Sequence, residues 1–227
     1  MRAAEPFLTE GVVVMEDHME RIEKARTHLF ESAETKRRAI ETCLAPIVAA
    51  AELIAGAFRA GGKVLLCGNG GSAADCQHMA AEFVSRLSKE VDRPGLPAIA
   101  LTTDTSFLTA YANDCDYEGV FARQVQALGK PGDVLVAIST SGNSPNVILA
   151  AQVARLANMM TIALTGSEGR LATLADVAIA VPSTSTHHIQ ETHLAIEHTI
   201  CSLVEEMLFP EQTAARGKQT EIALSLP

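Results

Sequence analysis

Apolar positions along the chain fall into two rhythms. From about Met15 to Cys43 the stretch MEDHMERIEKARTHLFESAETKRRAIETC spaces its apolar residues within a dense field of charge, the pattern of a helix. Pro46 then suits the first turn of a second helix that ends at the Ala60-Gly61-Gly62 step. Beyond it come short apolar runs: KVLLC (63–67), PAIAL (97–101), DVLVAIST (133–140), MTIALT (160–165) and VAIAVP (177–182), mostly separated by helix-length segments. Strands that are apolar throughout must be covered on both faces, so the pattern predicts an α/β fold with a parallel sheet, preceded by two helices.

Two helix starts directly follow strand ends. Ser72 with Asp75 three residues later reads as a capping box, and Ser144 before Pro145 reads as an N-cap with proline at the first helical position. In open α/β sheets ligands bind beyond the carboxyl ends of the strands, where helix N-termini aim N–H groups at them. Both loops therefore belong to one candidate binding edge.

The first loop, CGNGGSAADCQHMAAEF (67–83), is not a dinucleotide fingerprint, because the third glycine position of G-x-G-x-x-G holds Ala73, and no P-loop motif occurs in the chain. The second loop, STSGNS, gathers Ser139, Thr140, Ser141 and Ser144 around Gly142. Hydroxyls, free N–H groups and a helix dipole together suit a phosphate monoester without a cationic side chain. His78 and Glu82, four apart, share a helix face, and HHIQETHLAIEH (187–198) sets Gln190, Leu194 and His198 along one side of the last helix. A carboxylate and an imidazole on either side of a phosphosugar can move a proton between adjacent carbons. The same four side chains, His78, Glu82, Gln190 and His198, equally suit a divalent metal such as zinc with one position left open.

Composition narrows the field. The 227 residues are 48% hydrophobic and carry a net charge of -9, which suits one globular domain and argues against a nucleic-acid surface. Residues 1–14 and 211–227 read as extensions of a domain spanning 15–210. Five cysteines with no CxxC pair, and no secretory leader pattern, imply a cytoplasmic protein with reduced thiols. No apolar run reaches membrane-spanning length by this reading, since APIVAAAELIAGAF is interrupted by Glu52.

CGNGGSAADCQHMAAEF, YANDCDYEGVFARQVQALGKPGDVLVAISTSGNSPNVI and IQETHLAIEH together resemble the phosphoheptose isomerases of the sugar isomerase (SIS) family, over roughly residues 20–208. The resemblance implies a three-layer, flavodoxin-like SIS domain with five parallel strands and a homotetramer. It implies interconversion of sedoheptulose 7-phosphate and D-glycero-D-manno-heptose 7-phosphate through an enediol, an early step towards lipopolysaccharide heptose. It assigns the catalytic base to Glu82, its acid/base partner to His198, and one zinc per subunit to His78, Glu82, Gln190 and His198. It assigns substrate contacts to Asn69, Gly70, Gly71, Asn113, Asp114, Ser139, Thr140, Ser141, Ser144 and Gln190, to which helix-start geometry adds Ser72. One departure is His188, where many members carry Arg or Lys.

Three alternatives share these features. LFPEQ near the end also resembles non-catalytic SIS proteins that bind the bacterial replication initiator, although those relatives lack counterparts of Glu82 and His198. A sugar-phosphate-sensing module would need an attached DNA-binding domain, and an isomerase of shorter sugar phosphates would use the same chemistry.

Overall fold

The structure, a computed structural model, describes residues 7–213, with side-chain surroundings from Asp17 onward. It opens with helix α1 (Phe7–Arg59), followed by β1 (Val64–Gly68), α2 (Gly71–Val84), β2 (Ala98–Ala100), α3 (Thr105–Asp114) and α4 (Val120–Leu128). Strand β3 (Val134–Ser139), α5 (Pro145–Leu156), β4 (Met160–Thr165), a 3-10 turn (Leu171–Thr173), β5 (Val177–Ala180) and α6 (Thr186–Leu208) complete it.

All five predicted strands form one parallel sheet in the order β2-β1-β3-β4-β5. Side chains alternate across it. Val64, Leu66, Val136, Ile138, Ile162 and Leu164 face α1, α2 and α6, whereas Leu65, Cys67, Leu135, Ala137 and Ala163 face α4 and α5. This is the three-layer sandwich expected from strands buried on both sides. The order reverses between β1 and β3, so the loops leaving these two strands diverge and open a crevice at the switch point.

The two expected N-terminal helices are one. Pro46 lies inside α1, although proline removes a helix donor and crowds the preceding turn. The buried stripe Ala39, Cys43, Ile47, Ala50, Ala51, Ile54 and Ala55 runs unbroken past Pro46 into the core, so packing on both sides of the proline holds the helix together. The helix also begins at Phe7, inside the segment read as an extension. At the other end residues 210–213 add one helical turn, and the rest of the expected tail lies outside the described residues.

Joining the two segments corrects the membrane reading as well. Asp17–Arg59 contains an 18-residue window of mean hydropathy 1.6, long and apolar enough to cross a bilayer by length and composition. Ala50, Ala51, Ile54 and Ala55 are fully buried against the sheet and α6, although only 39% of the window is buried, so one side of this helix belongs to the core and the other does not.

Candidate functional site

The β1–α2 loop starts the site. Helix α2 is capped by Gly70, at φ 56°, a conformation that favours glycine, and not by Ser72 as the spacing suggested. Ser72 is instead buried in the first turn. A side chain on Gly71 would stand 2.5 Å from Gln190 Nε2, so glycine there lets the α6 amide lie against the α2 N-terminus. Gln190 Nε2 also donates to Asp75 Oδ1 at 3.3 Å, a contact the sequence did not reveal.

Two turns further along α2, His78 Nε2 stands 3.6 Å from Glu82 Oε1 and 2.7 Å from His198 Nε2. Residues 120 apart in sequence thus meet within one chain. One donor atom from each of His78, Glu82 and His198 lies within 4.8 Å of the others. The second carboxyl oxygen of Glu82 is buried without a hydrogen-bond partner. Two imidazoles and a carboxylate with an unpartnered oxygen fit a borderline divalent metal, and the Gln190 carbonyl oxygen is a further donor on the same side of α2.

The surroundings raise the pKa of the nearby acids. Burial, and then Asp75, push Glu197 up to about 9, and both its carboxyl oxygens lack partners. Burial also raises Asp75, an effect partly offset by the Gln190 hydrogen bond. Cys67 and Cys76 lie beneath the site as small buried residues, and burial pushes the Cys67 thiol up to about 12, so neither is a thiolate nucleophile near neutrality.

The β3–α5 loop forms the other half. Ser144 is the N-cap of α5 with Pro145 at the first helical position, as expected, but its hydroxyl meets Ser139 Oγ at 2.9 Å instead of capping. Ser141 Oγ lies 3.4 Å from Ser139 Oγ and accepts from Asn143 N–H. Three hydroxyls therefore converge at the end of β3. Beside them Thr140, Ser141, Asn143, Ser167, Thr184 and Thr186 help line a cavity of about 220 Å³ at the start of α6. A larger cavity of about 560 Å³ lies at the opposite sheet edge, between α1 and the starts of β3, β4 and β5. Its lining is mainly apolar, with Glu52 and Asp176 but no imidazole, so it has no counterpart of the acid–base pair.

Asn69 ties the halves together through a reciprocal amide pair with Asn146 at 2.8 and 2.9 Å, and it also accepts from Tyr117 OH. Asn113 and Asp114 do not join these loops: they are exposed at the end of α3, where Asn113 donates to Asp114. A clamp that sequence reading missed lies behind Glu82. Arg93 donates to the carbonyls of Glu82 and Phe83 and pairs with Glu205 of α6 at 2.7 Å, with both charged side chains at 1% exposure or less. Arg93 and Glu205 give no local pattern in the sequence, because they meet only after α2 and α6 pack.

The SIS domain model matches residues 27–166. A phosphoheptose isomerase of Roseiflexus sp. is 58% identical over 181 residues, covering 79% of this chain and 91% of that protein. Among solved structures, the phosphoheptose isomerase GmhA of Neisseria gonorrhoeae superposes with a TM-score of 0.76 at 46% identity, covering 81% of this chain and 98% of that one. A phosphoheptose isomerase from Francisella tularensis gives 0.78 at 36% identity, with coverage of 82% and 98%.

Proposed function

Because the chain belongs to the SIS domain family, and within it to the phosphoheptose isomerases, we propose that it interconverts sedoheptulose 7-phosphate and D-glycero-D-manno-heptose 7-phosphate. Glu82 removes the C1 proton of the ketose and returns it at C2, while His198 moves the proton between the two oxygens through a cis-enediol. The observation that carries this reading is the meeting of Glu82 with His198 and His78 in one chain, on the same sheet edge as the hydroxyl-rich loop.

Ser139, Thr140, Ser141 and Ser144 take the phosphate, so binding energy from the unreactive end positions the carbons at the other. Asn69, Gly70, Gly71 and Gln190 hold the sugar hydroxyls; Ser72, buried in the first turn of α2, supports that loop from behind, and Asn113 and Asp114, outside these loops in the chain, are assigned to the substrate by the family likeness alone. His78, Glu82, Gln190 and His198 would hold one zinc per subunit, which would supply polarisation of the sugar carbonyl and enediolate oxygens. Glu82 then answers two demands, since a carboxyl oxygen given to metal is withdrawn from proton transfer.

A homotetramer is supported by exposed apolar residues on α1, among them Ile22, Leu29, Ile40, Leu44 and Val48. A cytoplasmic setting agrees with five free cysteines, four of them buried. The catalytic pair disfavours the initiator-binding alternative, whose members lack it.

The test is incubation with sedoheptulose 7-phosphate in deuterium oxide, following the aldoheptose phosphate and C2 deuterium by NMR, beside Glu82→Gln and His198→Ala. Turnover with deuterium uptake that both substitutions abolish is expected. Turnover that survives Glu82→Gln would remove Glu82 as the base, and no turnover with or without zinc would overturn the isomerase reading.

A further inference from the structure

Three of the four histidines between 187 and 198 lie away from the catalytic pair, and two of them gather with a histidine of α1. The His28, His187 and His188 rings form a triangle with centroid separations of 4.8 Å (His28–His188), 5.4 Å (His187–His188) and 5.6 Å (His28–His187). His28 Nδ1 and His188 Nε2 face each other at 3.3 Å. Two imidazole nitrogens on a tetrahedral zinc, each about 2.0–2.1 Å from the metal, stand about 3.4 Å apart, with ring centroids about 5 Å apart.

The environment of His28 favours ligation. Its other nitrogen, Nε2, lies 3.1 Å from Glu191 Oε1, and Glu191 is held in turn by the Ser32 hydroxyl and by Lys36. A carboxylate at Nε2 fixes the proton there and leaves the Nδ1 lone pair facing His188 and His187. That is the carboxylate–histidine arrangement that orients metal-binding imidazoles. His188 is buried, His28 is part-exposed and His187 is exposed. The nitrogens of His28 and His188 already face each other, whereas those of His187 do not converge with them in this conformation, so three-histidine ligation requires the exposed His187 ring to turn, with water in the fourth position.

We propose that His28, His187 and His188 form a second metal site for a late first-row divalent ion such as zinc, separate from the His78–Glu82–His198 cluster. The ion is a structural staple. It joins α1 to the first turn of α6, just ahead of Gln190, and Glu191 serves as the carboxylate behind His28. This assignment does not depend on the catalytic reading.

Metal-free, full-length protein titrated with Co²⁺ and then Zn²⁺, followed by visible absorption and calorimetry, tests it. Two equivalents per chain are expected for the wild type. One equivalent should remain in His78→Ala/His198→Ala, and one should be lost in His28→Ala and in the exposed variant His187→Ala. Glu191→Gln should keep the stoichiometry and weaken the second site about 10- to 100-fold. Zinc should also raise the melting temperature of His78→Ala/His198→Ala, but not after His28→Ala is added. A single wild-type equivalent lost with His78 and His198, or binding indifferent to His28→Ala, would overturn the proposal. A single equivalent lost with His28 would support it and remove the metal from the catalytic cluster instead.

Discussion

His193 shows how one buried side chain ties stability to pH. It is fully buried on α6, its Nε2–H donates to the Thr165 carbonyl at 3.0 Å, and burial holds its pKa down at about 4. The unfolded chain protonates this imidazole near pH 6.5 while the folded one resists until about 4, so its contribution is present above 6.5 and lost as pH falls through that window. Urea unfolding of His193→Gln, which keeps a donor for Thr165, should therefore lose less stability than the wild type between pH 7 and pH 5. Equal losses would show that another group sets the acid limb. His78 and Glu82 were legible in the sequence because a four-residue spacing fixes a shared helix face. Glu197 and Asp75 were not, because their character comes from burial among elements far apart in the chain.

Elements were legible where one local rule governs them. Each observed strand falls within one or two residues of its apolar run, since a strand covered on both faces has no alternative use for such a run. Where packing overrules local chemistry, the reading failed. Ser72 has a capping residue's chemistry, but the helix starts at Gly71, packed against Gln190, and is capped by Gly70, and Pro46 has a helix starter's chemistry but sits within α1. Replacing Pro46 with alanine should stabilise the fold by about 2 kcal/mol, the helix penalty less the unfolded-state entropy that proline removes. Denaturant melts at constant m would measure it. Between elements the Arg93–Glu205 clamp carries the greater load. Arg93→Ala should cost about 3–5 kcal/mol, because it leaves the Glu205 charge buried and the last turn of α2 without its cap. A thermal melt of Arg93→Ala beside Arg93→Ala/Glu205→Gln separates the stranded charge from the lost cap, and the double variant should recover part of the loss.

Across the whole molecule the exposed side of α1 matters most. Ile40, Leu44 and Val48 recur every four residues at 42–59% exposure, and Ile22 and Leu29 extend the same side towards the N-terminus. An apolar stripe this long on a 53-residue helix suits burial against other copies. Leu44→Glu should reduce the mass in solution of the proposed homotetramer of the 24.0 kDa chain to a smaller species, read by sedimentation at micromolar concentration. An unchanged mass would move the interface elsewhere. The other side of α1 packs on α6, so the first helix of the chain is completed by the last. Synthesis at about 5–20 residues per second leaves α1 waiting many seconds for that partner. Both apolar sides of the helix stay uncovered meanwhile, and the glutamate of α2 and the histidine of α6, far apart in the chain, cannot meet until α6 has left the ribosome. Activity in a growing cell therefore depends on how well the nascent helix is sheltered during that interval.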